Sequence, residues 1–165
     1  MKYTKVRDVK SPERGTGKAA GIDFFVPNNV GGGRGLTIRP GCDELIPSGI
    51  KMEIPEGFML MAADKSGVVT TKFACAKAGR AIKPEAFTSP VILGAKIVDE
   101  DYQGEIHIHV INVGTNVIRI NPGMKIAQFI LVPVSYEDLE EVPEPELFTR
   151  RSARGDGGFG STGAY

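Results

Sequence analysis

The chain has 165 residues, enough for one domain with a real core, and 41% of them are hydrophobic. Twenty basic side chains balance twenty acidic ones, which excludes the strong field that draws a protein to nucleic acid or to an anionic membrane. No apolar run is long enough for a transmembrane helix, and the start, Met1-Lys-Tyr-Thr-Lys-Val-Arg-Asp8, has no hydrophobic signal region. An intracellular, cytoplasmic protein with no nucleic-acid or membrane partner is therefore expected. In that compartment Cys42 and Cys75 read as free thiols, ordinary buried or half-buried residues.

The hydrophobic pattern has mostly period two. Gly31-Gly-Gly-Arg-Gly35 lacks the following helix and the Gly-Lys-Ser/Thr of a phosphate loop, and reads as a plain β-hairpin loop. Residues 43–54 read as strand, turn at Pro47-Ser48-Gly49, and strand. Residues 57–63 look like a buried strand. Residues 76–88 fit a short helix or a loop. Residues 104–113 alternate, with Ile106, Ile108 and Val110 against His107, His109 and Ile111. Residues 117–120 and 124–134 give two more strands around the turn Asn121-Pro122-Gly123. No stretch shows a long, capped amphipathic helix. Many short strands, with 21 glycines and 11 prolines for turns, predict an all-β sandwich or jelly roll over residues 1–134.

Beyond the core, residues 135–148 carry six acidic residues and two prolines, the composition of a stiffened, self-repelling linker. Residues 149–165 contain five glycines, three arginines, two serines, two threonines and one central aromatic, Phe159. Composition alone reads as a disordered tail. The order does not: Arg154, glycine-rich backbone, Phe159, then Ser161-Thr162 is what a flap needs to close over a stacked base and a phosphate chain.

Four core segments carry possible chemistry. Ala20-Gly-Ile-Asp-Phe24 sets Asp23 among apolar residues. Asp64-Lys-Ser-Gly-Val68 places a hydroxyl beside Lys65 and Gly67, a reasonable phosphate contact. Ile97-Val-Asp-Glu-Asp-Tyr-Gln-Gly-Glu105 packs two aspartates and a tyrosine into a turn. Gly123-Met-Lys-Ile-Ala-Gln-Phe-Ile130 places Gln128 inside a hydrophobic strand. Singly, each reads as an ordinary turn or strand. His107 and His109 share one strand face, as in some zinc sites, but no third ligand has an obvious spacing, so packing or surface is the plainer reading.

Together with the tail, the four segments resemble, in order, the five motifs of the trimeric dUTP pyrophosphatase (dUTPase) family. The specific ones are Asp99-Glu-Asp-Tyr-Gln-Gly-Glu105 and Arg154-Gly-Asp-Gly-Gly-Phe-Gly-Ser-Thr-Gly163. The resemblance implies a jelly-roll subunit and a homotrimer with shared active sites. It also implies hydrolysis of dUTP to dUMP and pyrophosphate with Mg²⁺, which keeps uracil out of DNA and supplies dUMP for dTMP synthesis. By the same resemblance, Asp99 would deprotonate the attacking water and Tyr102 would pack against the deoxyribose at C2′. Lys65, Ser66, Gly67, Gln128 and Arg154 would contact phosphates. Phe159 would stack on uracil, and Gly160, Ser161 and Thr162 would hold the terminal phosphate. Asp23 would support the metal indirectly, through water.

The physics agrees with that assignment. Displacement at phosphorus needs positioning and charge neutralisation more than covalent chemistry, and one carboxylate suffices as base. A hairpin near residues 93–97 could present backbone groups to uracil. The chain departs from the family pattern at Lys65 and Lys125, where arginine is usual, and at Lys96, where glycine is usual. An insert lies near residues 75–90. The rivals are a dCTP deaminase-like enzyme, which shares the fold but needs a glutamate base, and a dUTPase relative with a regulatory binding role.

Overall fold

Residues 106–112 show how the sequence builds the core. Ile106, Ile108 and Val110 are each 1% exposed, while His107, His109 and Ile111 between them are half-buried. This is the period-two pattern of a strand with one face inward. The structure is a computed structural model and describes residues 1–69 and 89–157. It divides into two units, Met1–Ser135 and Tyr136–Tyr165.

The first unit is all-β and jelly-roll-like, and every strand pairing is antiparallel. Its strands are β1 (Lys2–Lys5), β2 (Glu13–Arg14), β3 (Gly21–Phe25), β4 (Leu36–Ile38), β5 (Asp43–Pro47) and β6 (Ile50–Glu53). They continue with β7 (Phe58–Asp64), β8 (Val91–Leu93), β9 (Ile97–Val98), β10 (His107–Asn112), β11 (Ile118–Ile120) and β12 (Lys125–Pro133). One helical turn, α1 (Ser66–Val69), follows β7. The largest sheet runs β2-β3-β12-β7-β9; the second runs β5-β10-β8; β1-β6 and β4-β11 form two-stranded pairs.

The core lies on one face of the large sheet. Ile22, Phe24, Leu60, Ala62, Ala127 and Phe129 point inward, and the rings of Phe24 and Phe129 meet at 4.5 Å between centroids. They pack with Ile46, Ile106, Ile108 and Val110 of the second sheet and its approach. At about 25 cal/mol per Å² of apolar surface, such burial is the main stabilising term.

The strands expected over 57–63, 104–113, 117–120 and 124–134 are present as β7, β10, β11 and β12. Two pairings differ from the local reading. β5 and β6 do not pair with each other: β5 joins β10 and β6 joins β1. Gly49, at φ 75°, turns the chain between the two pairings. Its carbonyl accepts from Val6 and its amide donates to Glu105. Nor is Gly31–Gly35 a hairpin loop. The run lies in a short 3-10 segment, Val30–Gly33, kinked at Gly31 and Gly32, that joins β3 to β4, whose partners lie in different sheets. The backbone at Gly31 and Gly32 is left-handed, which only glycine adopts freely.

Among the described residues no helix is long and apolar enough to cross a membrane. Cys42 is exposed and free. The expected insert lies mostly outside the described residues, as do Cys75, Phe159, Gly160, Ser161 and Thr162. In the second unit the described residues include a 3-10 turn, Glu144–Glu146, behind Pro143.

Candidate active site

Period two on the large sheet sorts the candidate residues onto two faces. Gln128 of β12 stands opposite Asp23 of β3 and Ala63 of β7, so these three share the outer face. Phe129, next along β12, points into the core.

On the outer face a charged cluster forms. The Asp23 side chain is 6% exposed, and its two oxygens accept from Lys65 Nζ and Lys125 Nζ, each at 2.8 Å. Lys125 also reaches Glu13 at 3.2 Å and lies 5.5 Å from the Phe25 ring centroid. A register shift between Lys125 and Ala127 places Ile126 and Ala127 both inward and leaves Lys125 on the Asp23 side. Lys65 follows the last residue of β7, where α1 begins by donating Val68 N–H to the Lys65 carbonyl. Gln128 donates to the Asp64 carbonyl at 3.1 Å, and its amide lies over Gly21, where any Cβ would collide with it. That contact explains the glycine before Asp23. The whole arrangement gathers Asp23, Lys65 and Gln128, with Ser66 and Gly67 in the adjoining turn. Lys125, which the sequence marks only as a departure, is a full member.

The contacts of Asp23 are with lysines. Both its oxygens already serve ammonium groups, and among the described residues no three His, Cys, Asp or Glu side chains come together as a ligand set.

The second group lies at the turn after β9. Tyr102 N–H donates to the Asp99 carbonyl at 3.2 Å, closing the turn. The Tyr102 hydroxyl donates to the Glu105 carbonyl at 2.9 Å, and its ring lies where a Cβ on Gly104 would stand. Glu100 turns inward and accepts from Gly57 N–H at 2.7 Å. Asp99 stays exposed and lines a cleft of about 250 Å³ with Ala95, Ile97, Tyr102, His107 and Phe129. Lys65, Ser66, Gln128 and Asp23 do not line this cleft. Arg154 belongs to the second unit, where Nε donates to the Gly157 carbonyl at 2.6 Å and Gly155 closes a turn onto Ser152. The histidines make separate contacts: His107 Nδ1 meets the Glu105 carbonyl, and His109 bridges Ala95 and Asp43.

Sequence reasoning missed Glu105 as an anchor. Its carboxylate accepts two bonds from Arg7, at 2.7 and 3.0 Å, and one from Gly49 N–H at 2.7 Å. Its place at the end of the acidic turn was the available signal.

Among the described residues three carboxyls are perturbed, Glu13, Asp23 and Glu105, and hydrogen bonds from Lys10 and Lys125 hold Glu13 below its ordinary 4.5. Burial pushes Asp23 up, but hydrogen bonds from Lys125 and Lys65 and their charges outweigh it and hold the group below its ordinary 3.8. Burial likewise raises Glu105, and Arg7 with the Gly49 amide brings it below 4.5. The hydrogen bond to Asp23 raises Lys125. A depressed carboxyl stabilises the fold above its unfolded value and loses that contribution as pH falls through the lower folded one. Tm is therefore expected to fall as pH drops through and below the ordinary carboxyl range, and the fall should shrink in an Asp23→Asn, Glu105→Gln double variant. Calorimetry across that range checks it; an equally steep fall in the double variant would refute the assignment.

Comparison with known proteins agrees with this geometry. The dUTPase family model matches residues 7–163. The deoxyuridine 5′-triphosphate nucleotidohydrolase of Rhizobium rhizogenes is 35% identical over 159 residues, covering 95% of this chain and 87% of its own length. The dUTPase of Staphylococcus bacteriophage 80alpha, solved with dUPNHPP, superposes with TM-score 0.76 at 22% identity, covering 98% of this chain and 97% of the phage protein. A mutant dUTPase from phage phi11 of S. aureus, whose structure concerns a structural Mg(II) ion, gives TM-score 0.67 at 19% identity, covering 87% of this chain and 96% of its own. The order of the motifs, the jelly-roll sheets and these matches lead to one conclusion: the chain belongs to the dUTPase family.

Proposed function

We propose that this chain hydrolyses dUTP to dUMP and pyrophosphate in a site built by neighbouring copies of itself. The observation that carries this reading is the separation of the two groups. Asp99 and Tyr102 border a cleft that reaches Phe129 on the core side of β12, while the Asp23, Lys65, Lys125 and Gln128 cluster occupies the outer face. A base-and-sugar pocket and a phosphate cradle on opposite faces of one sheet do not converge within one chain. A closed ring of copies brings one chain's cleft to another's cradle, and the homotrimer of the family supplies it.

In this reading the uracil enters beside residues 93–97, which form a turn between sheets and not the expected hairpin, since β8 pairs with β10 and β9 with β7. Tyr102 fills the space at C2′ where a ribose hydroxyl would stand. Asp99, exposed at the cleft rim, takes the proton of a water that attacks the α-phosphorus. Pyrophosphate leaves. Lys65, Ser66, Gly67, Gln128 and Arg154 neutralise and orient the phosphates; Phe159, Gly160, Ser161 and Thr162 close over base and terminal phosphate. Asp23 has a different duty here: it keeps two lysine ammonium groups side by side. Mg²⁺ belongs to this reading as a companion of the triphosphate, because it retains most of its waters and needs few protein oxygens. The place of action is intracellular, where such a substrate is found.

The test is product analysis. Pyrophosphate release from dUTP without ammonia release from dCTP is the expected result. Ammonia from dCTP would favour the deaminase reading, and neither product would favour a binding role.

A further inference from the structure

The turn between β8 and β9 is held from outside by three consecutive amides. Leu93 N–H donates to Asp64 Oδ1 at 2.9 Å, and Gly94 N–H donates to the His109 carbonyl at 3.0 Å. Ala95 N–H donates to the His109 ring at Nδ1, also at 3.0 Å. Asp64 stands in the large sheet and His109 in the second, so the turn is tied to both. Because Nδ1 accepts, hydrogen bonding assigns the ring proton to Nε2, which donates to Asp43 Oδ2 at 2.8 Å. Gly94 is bare where the ring lies: a Cβ there would collide with the imidazole. Its φ lies outside the left-handed region, so the glycine serves the ring and not the backbone.

The histidine's contribution does not come chiefly from its hydrogen bond to Asp43. Asp43 is 63% exposed, and such pairs contribute little. The directional acceptor matters more, since it fixes an amide in the turn between β8 and β9, whose residue Ala95 walls the Asp99–Tyr102 cleft together with Ile97. We propose that His109, oriented by Asp43, is a positioning residue for base selection: its ring holds the Ala95 amide and so sets the cleft wall against which a pyrimidine base is read. This rests on the reading of that cleft as the base site.

The test compares His109→Phe, which fills the space without an acceptor, with His109→Asn, whose amide oxygen occupies the place of Nδ1. Two quantities are read in each trimer: hydrogen exchange at the Ala95 amide without nucleotide, and kcat and KM for dUTP and dCTP. His109→Phe should speed Ala95 exchange and raise KM for dUTP about three- to tenfold, the worth of one hydrogen bond, with kcat changed less. It should also narrow the preference for dUTP over dCTP. His109→Asn should restore both, and Gly94→Ala should behave like His109→Phe. Unchanged Ala95 exchange in the Phe variant overturns the contact. Faster exchange with unchanged base preference overturns the role in selection, as does a fall in kcat and Tm that Asn does not rescue. A parent chain with no preference for dUTP refutes the base-site reading before any variant is made, and this role falls with it.

Discussion

Asp99→Asn is expected to slow dUTP hydrolysis by at least about a hundredfold, with folding and nucleotide binding retained. The reason is local. Asp99 contributes its backbone carbonyl to the turn through Tyr102 N–H, and an asparagine leaves that bond in place. Its side chain is exposed at the cleft rim, so the change removes no buried partner. Only the ability to take a proton is lost. Glu100 is no substitute, because its carboxylate is committed to Gly57 N–H. Steady-state kinetics with nucleotide titration checks this, and turnover near that of the parent would remove Asp99 from the mechanism.

Deleting residues 149–165 should abolish nearly all hydrolysis and leave Tm almost unchanged. Every buried core residue described lies between Val9 and Phe129, so the shortened chain keeps its core. Five proposed nucleotide contacts leave with the arm, and the stack on Phe159 alone is worth about 1–3 kcal/mol. Mixing separates a shared site from a private one. Inactive Asp99→Asn trimers exchanged with inactive arm-deleted trimers should regain activity wherever one intact cleft meets one intact arm. If exchange is demonstrated and no activity returns, each arm closes over its own subunit.

The sequence made much of the core legible and little of its pairing. β7, β10 and β12 are readable because their inward residues alternate or run together as apolar side chains. β3 escaped because Asp23 interrupts an apolar run. Only the lysines arriving from positions 65 and 125 let that carboxylate be buried. β1 escaped because all its residues are exposed, and β2 and β9 because two residues carry no period. That β5 and β6 separate into different pairings depends on β10 and β1, far away in sequence. The site followed the same rule. Asp99 and Tyr102 share one turn and were visible together, whereas the tie from His109 to Ala95 joins β10 to the turn between β8 and β9, and the sequence offered only two histidines on one face.

The order of the large sheet also sets when the chain can fold. β12 is its third strand in space, with β2-β3 on one side and β7-β9 on the other, yet it is the last strand in sequence. During synthesis the two halves have no common neighbour until residue 133 has left the ribosome. Until then the edges of β3 and β7 are open, and the apolar faces around Phe24 and Leu60 lack Phe129. A nascent chain stalled before residue 125 is therefore a client for chaperones and not a folded half-domain.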